Sequence, residues 1–190
     1  MQQYISSNTT LGILGGGQLG KMLLDVTRRL DIQTSVLDPN ATASSKHSCN
    51  HFVQGDLMDY DTVLKFGLEV DVLTIEIEHV NIEALYELEQ RGVTVYPRPK
   101  TLEIIQNKRT QKDFYLKQEL PTVPFHSFED KTALIKAAQN GAFDFPCIWK
   151  AARFGYDGFG VKKIDCLDEL NTLPEGDCIV EQLVSIAQEV

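Results

Sequence analysis

Basic residues are scarce in this 190-residue chain: 18 Lys and Arg stand against 27 Asp and Glu, a net charge of −9. A surface of that sign repels a phosphate backbone instead of releasing its counterions, so nucleic acid is not an expected partner. Cysteine is also sparse. Cys49, Cys147, Cys166 and Cys178 occur singly, with no C-x-x-C pair, which excludes a disulfide scaffold and fits reduced thiols in a cytoplasm. No apolar run approaches the roughly 20 residues of a membrane span, and Met1-Gln2-Gln3-Tyr4 lacks the basic start of a signal peptide. Neither a membrane nor export is expected. No G-K-[ST] triplet occurs, which removes the Walker phosphate loop. What remains is ordinary for a folded water-soluble protein, 43% hydrophobic and 24% charged, long enough for one large domain or one domain and part of another.

The first half alternates short apolar runs with helical periods. Strands are expected at Leu11–Leu14, Thr34–Leu37, His51–Val53, Asp71–Ile75 and Val93–Val95, with helices at Lys21–Leu30, Tyr60–Phe66 and Ile82–Gln90 between them. Strands separated by helices pair in parallel, giving an α/β, Rossmann-like sheet. In the first helix, Met22, Val26 and Leu30 repeat at four-residue spacing and predict the buried stripe. Pro97-Arg98-Pro99 breaks the pattern and predicts a domain boundary, with units at 1–98 and 99–190. The second unit reads as helix over Leu102–Leu116 and Thr132–Ala138. Strands then follow at Phe145–Lys150, Val161–Ile164 and Cys178–Gln182, with a helix at Leu167–Leu173, an α+β pattern.

Gly15-Gly16-Gly17-Gln18-Leu19-Gly20 satisfies G-x-G-x-x-G between a strand and a helix. Glycines there let backbone N–H groups approach an anion at a helix start. Asp38 lies near the spacing at which a carboxylate holds an NAD ribose, so an NAD-dependent dehydrogenase is one reading and a ligand-free tight turn another. Glu76 and Glu78 alternate with Ile75 and Ile77, which would put both carboxylates on one side of a strand end. His47, Cys49 and His51 would share a face if extended, but their spacing is not that of a zinc site, and no metal ligand is assigned.

A second glycine run follows a strand that ends on a lysine: Lys150, then Gly155, Gly158 and Gly160. Such a loop can fold over phosphates, with Lys150 as a point charge. The alternative is a plain glycine-rich hairpin with Lys150 solvated.

Taken in order, the GGGQLG turn, Glu76-Ile77-Glu78, Asn107 to Lys112, Lys150 with Gly155-Tyr156-Asp157-Gly158-Phe159-Gly160, and Ile179-Val180-Glu181-Gln182 resemble the ATP-grasp superfamily. More narrowly they resemble the 5-(carboxyamino)imidazole ribonucleotide synthases, ATP-dependent carboxylases of purine biosynthesis. The resemblance implies a pre-ATP-grasp domain followed by the first ATP-grasp subdomain. It implies that Lys108 and Lys150 contact ATP phosphates, that Gly155, Tyr156, Asp157, Gly158, Phe159, Gly160 and Val161 form a lid, and that Glu181, Gln182, Leu183 and Val184 form a hinge whose strand edge faces adenine. Glu189 would accept hydrogen bonds from the ATP ribose. Gln18, Leu19 and Glu76 would hold 5-aminoimidazole ribonucleotide, with Tyr156 and Asp157 facing the same substrate from the lid; no catalytic residue is assigned. Asp38 then caps a turn with Pro39.

The implied reaction phosphorylates bicarbonate with ATP to carboxyphosphate, which carboxylates the aminoimidazole amine. ATP and Mg²⁺ are the implied cofactors and a cytoplasmic homodimer the implied full-length assembly. Family members are longer, and their Mg²⁺ ligands lie beyond the equivalent of Val190, so this stretch alone is expected to be inactive. Two departures stand out: Phe159 and Val161 replace a basic residue and a glutamine, and Lys108 replaces a more usual arginine.

Overall fold

The computed structural model describes residues 8–153, 160–185 and 188. The chain divides into two compact units, Met1–Glu103 and Ile104–Val190.

The first unit runs β1 (Thr10–Leu14), α1 (Gln18–Arg29), β2 (Gln33–Asp38), β3 (His51–Gln54), α2 (Tyr60–Gly67), β4 (Val72–Ile75), α3 (Ile82–Gln90) and β5 (Thr94–Tyr96). All its strand pairings are parallel, in the order β3-β2-β1-β4-β5. Adjacent residues of the central strands supply opposite faces, because side chains alternate along a strand. Leu14 and Leu37 join Val63, Phe66, Leu73, Leu85 and Leu88 in one core, while Ile13 and Val36 pack with Leu24 in another. A sheet buried on both sides is the doubly wound arrangement expected from the alternating elements. Helix α4 (Pro99–Ile105) opens on Pro99, whose fixed φ suits a first helical turn, and carries the division between the units.

Two expectations about this unit are corrected. Helix α1 buries Gly20, Leu24 and Thr27, whereas Met22, Val26 and Leu30 are each more than half exposed. Its apolar residues occupy two faces, and the narrow face built around Gly20 is the one that fits the sheet. A Cβ at Gly20 would lie 2.8 Å from the Gly15 carbonyl oxygen. His47 and Cys49 lie in turns ahead of β3, with the Cys49 thiol 3.6 Å from the Lys46 carbonyl oxygen, so they share no strand face with His51.

The second unit comprises α5 (Lys108–Lys117), β6 (Phe125–Phe128), α6 (Lys131–Gln139), β7 (Cys147–Ala151), β8 (Val161–Ile164), a 3-10 helix at Leu167–Thr172 and β9 (Cys178–Gln182). Its sheet is antiparallel, ordered β6-β9-β7-β8. Trp149, Cys147, Ile164, Cys178, Val180 and Phe128 form one face of the sheet and pack with Leu134 and Leu170. The single helix expected over Leu102–Leu116 is instead α4 and α5, separated at Gln106-Asn107. Asn107 takes extended backbone and its side-chain oxygen accepts the Arg109 N–H at 2.9 Å, so it starts a new helix instead of continuing the old one. Strand β6, between Pro124 and Glu129, is an addition to the expected elements.

Candidate functional sites in the two units

In the first unit the glycine turn sits at the carboxyl ends of β1 and β4. Strand order reverses there: the chain runs from β1 to β2 on one side and reaches β4 on the other. Open α/β sheets bind ligands at such a reversal. The turn is tied down by hydrogen bonds from Gly15 N–H to the Leu37 carbonyl (2.9 Å) and from Ser45 N–H to the Gly16 carbonyl (3.0 Å). Gly15 has φ +102°, and a Cβ there would lie 2.5 Å from a Glu76 oxygen, so only glycine fits.

Both carboxylates near the turn are engaged by it. Asp38 accepts the Gly16 N–H at 2.6 Å on one oxygen and the Asn40 N–H at 2.7 Å on the other. It caps the turn with Pro39, as expected under the ATP-grasp resemblance. Glu76 lies just past β4, where its N–H donates to the Leu14 carbonyl at 2.8 Å, and its side chain accepts the Gly17 N–H. Burial pushes the Glu76 pKa up, the charges of Asp38 and Glu78 add to the rise, and the Gly17 N–H opposes it. The strand stops at Ile75, so Glu76-Ile77-Glu78 is a bend and not the alternating strand end expected. Helix α1 has no side-chain cap, because its N-cap is Gly17. Exposed Gln18 and Leu19 therefore open the helix with N–H groups that have no intrahelical partner.

In the second unit, β7 and β8 form a hairpin closed by a hydrogen bond from Ala151 N–H to the Gly160 carbonyl at 2.8 Å. Gly160 has φ +70°, and Val161 opens β8 opposite Lys150. The lid residues Gly155, Tyr156, Asp157, Gly158 and Phe159 lie outside the described residues, as does Glu189. The start of α5 is fixed to the end of β7 by a hydrogen bond from Lys108 N–H to the Ala152 carbonyl at 2.8 Å. The two lysines expected at the phosphates are thereby anchored to one end of one strand.

Lys150 is not simply solvated. Its Nζ lies 2.5 Å from Glu181 Oε2, and Lys112 Nζ lies 2.5 Å from Glu181 Oε1. Strand register explains the meeting, since Glu181 pairs with Ile148 and Lys150 with Ile179, which puts both side chains on the sheet face opposite Trp149. Burial alone would raise the Glu181 pKa, but the hydrogen bonds and charges of the two lysines outweigh it and hold the carboxyl below its usual range. Lys112 ends the Asn107 to Lys112 stretch that carries the resemblance, but no role is assigned to it from sequence.

The four residues expected at the hinge straddle the end of β9. Strand β9 lies inside the sheet between β6 and β7, and Gln182 N–H donates to the Pro124 carbonyl at 3.0 Å. The backbones of Glu181 and Gln182 are thus committed to the ladder, and only Leu183, Val184 and Ser185 leave it, all exposed. A cavity of about 530 Å³ is lined by Gln182 and Leu183 together with Pro124, Phe143, Phe145 and Pro146. Its lining includes neither Lys150 nor Lys108.

The two thiols within the second sheet are held protonated by their position. Burial, with the nearby Asp165 charge, pushes Cys147 up to about 11, and burial likewise raises Cys178. Among the described residues no three His, Cys, Asp or Glu side chains are grouped to hold a metal.

The family model of the ribonucleotide synthetase preATP-grasp domain matches residues 8–106. The chain belongs to that family. Outside the preATP-grasp match, similarity extends into the second unit. The chain is 33% identical over 188 residues to N5-carboxyaminoimidazole ribonucleotide synthase from Staphylococcus epidermidis, covering 95% of this chain and 48% of that protein. It is 37% identical over 155 residues to phosphoribosylaminoimidazole carboxylase from Candida glabrata, covering 80% of this chain and 27% of that protein. Its fold superimposes, with a TM-score of 0.83 and 27% identity, on N5-carboxyaminoimidazole synthase from Aspergillus clavatus in complex with ADP and 5-aminoimidazole ribonucleotide, over 97% of this chain and 48% of that one. The chain therefore spans about half the length of these relatives, or less.

Proposed function

We propose that this chain provides the ribonucleotide-binding domain and the first nucleotide-binding subdomain for ATP-dependent carboxylation of 5-aminoimidazole ribonucleotide with bicarbonate, through carboxyphosphate, in purine biosynthesis. The observation that carries the reading is the end of β7. There Lys150, the anchored start of α5 with Lys108, and the Gly160 hairpin stand together, as a site for phosphate oxygens requires. The likeness to a synthase solved with ADP and 5-aminoimidazole ribonucleotide supports the same reading.

In this reading Lys108 and Lys150 neutralise ATP phosphates, and residues 155–161 close over them and exclude water from a hydrolysable intermediate. The exposed segment Leu183–Val184 offers the adenine its backbone N–H and carbonyl groups. Glu189 takes the ATP ribose. Gln18, Leu19 and Glu76 take the ribonucleotide, with the open N–H groups of the α1 start receiving its phosphate; Tyr156 and Asp157 contact it from the lid. Mg²⁺ supplies charge neutralisation at the terminal phosphates in ATP-dependent phosphoryl transfer, with ligands outside the described residues. The whole protein is read as a cytoplasmic homodimer with small-molecule partners. No helix among the described residues is long and apolar enough to cross a membrane.

The competing reading is an NAD-dependent dehydrogenase in which Asp38, whose oxygens each accept one backbone N–H, would also hold the ribose. Thermal shift separates the two, because a ligand stabilises only the state that binds it. The chain is expected to gain stability from 5-aminoimidazole ribonucleotide and from ATP and none from NAD. Saturable stabilisation by NAD alone would overturn the proposal.

A further inference from the structure

Lys112 of α5 has an unusual position for a lysine. It is 9% exposed, its Nζ is 2.5 Å from Thr122 Oγ1 as well as from Glu181 Oε1, and it lies 5.4 Å from the centre of the Phe125 ring. An ammonium has three N–H donors, and these contacts enclose it. Lys150 shares the same carboxylate, but its side chain is 28% exposed and Glu181 is its sole ion-pair partner among the described residues. Two cations on one buried anion leave an excess positive charge, and burying the second cation is costly to stability unless something else is gained. The excess faces outward only at Lys150.

We propose that Lys112 is a positioning residue: by occupying one oxygen of Glu181 it keeps that carboxylate from closing on Lys150 with both, and so keeps the Lys150 ammonium available to an incoming phosphoryl anion. The inference rests on reading the end of β7 as the phosphate site. Lys112 touches no phosphate itself. Without it, Glu181 and Lys150 form a neutral pair that competes with the ligand. Thr122, which holds Lys112 in place, belongs to the same device.

The test compares the unaltered chain with Lys112→Met, Lys112→Arg, Thr122→Val and the double variant Lys112→Met/Glu181→Gln. In the ligand-free chain, acetylation of the Lys150 amine by an activated ester, followed by peptide mass spectrometry, should slow several-fold in Lys112→Met. It should return towards the original rate in Lys112→Arg and in the double variant, with Thr122→Val in between. Calorimetry with inorganic tripolyphosphate should show about a tenfold loss of affinity in Lys112→Met, the scale of a disturbed charge pair, with adenosine affinity unchanged and with the same pattern of recovery. An unchanged Lys150 acetylation rate in both Lys112→Met and Thr122→Val overturns the inference, as does an equal loss for adenosine and tripolyphosphate, which is the mark of a merely structural lysine. If the acetylation pattern holds but the unaltered chain binds neither ATP nor tripolyphosphate, the positioning stands and the nucleotide reading fails.

Discussion

Gly20 faces the backbone of its own turn, with the Gly15 carbonyl oxygen 2.8 Å from where a Cβ would be. Alanine is better than glycine inside a helix by about 1 kcal/mol, but overpacking costs about 1–3 kcal/mol, and a carbonyl cannot rotate away as a side chain can. Gly20→Ala should therefore destabilise the first unit by about 1 kcal/mol net, lowering the urea midpoint of that unit's own transition without changing its slope. Glu76 argues the other sign. Its folded-state pKa is raised by burial and by Asp38 and Glu78, so between the unfolded and folded values the native state holds more protons and stability falls as pH rises. Glu76→Gln keeps an acceptor for the Gly17 N–H and removes the charge. It should raise the melting temperature at pH 7, with the gain shrinking as pH falls through the raised pKa towards the ordinary carboxylate range. Residues whose role is set by local backbone geometry are legible in the sequence: the GGGQLG turn follows from its spacing between a strand and a helix, whereas the spacing of Asp38 suggests an NAD ribose and its turn-cap role follows only from the ATP-grasp resemblance. Residues whose role depends on a partner far along the chain are not. Nothing around Lys112 points to Glu181, because only the register of β9 against β7 brings Glu181 to the face that Lys112 and Lys150 share.

At the scale of elements, the start of α5 is the joint on which the second site depends. Asn107 is 6% exposed and caps the helix through Arg109 N–H, and the next residue anchors to Ala152. Asn107→Ala should cost about 1 kcal/mol, the usual worth of an N-cap, and should weaken ATP binding as well, since Lys108 and Lys112 ride on the same helix. Urea unfolding followed by calorimetry with ATP checks both. The elements that depart from the sequence pattern do so for identifiable reasons. Periodicity gives a helix its stripes but not which stripe is buried, and in α1 the buried one contains a glycine and a threonine in place of the larger Met22, Val26 and Leu30. A helical pattern runs through Gln106-Asn107 because nothing marks the break except Asn107 itself, which is polar enough for a helix surface. Strand β6 lies at a sheet edge directly after a proline and carries His126 and Ser127 between Phe125 and Phe128, so it shows neither an apolar run nor an alternation.

For the whole molecule, two units with separate cores predict thermal unfolding that is not a single two-state event. If the ribonucleotide binds the first unit and ATP the second, each should raise a different part of the calorimetric profile. At a free concentration one hundred times its Kd, a ligand adds about 2.7 kcal/mol to the unit that binds it. A profile that ATP and 5-aminoimidazole ribonucleotide move in the same way would contradict that assignment of sites to units. The lone tryptophan makes the distinction optical. Trp149 is 4% exposed, lies in the second core on the sheet face opposite its neighbour Lys150, and donates a hydrogen bond to the Cys178 sulfur. Indole emission therefore reports melting of the second unit alone, while far-ultraviolet circular dichroism sums the backbone of both, and the gap between the two curves is the first unit's own signal, obtained without a label.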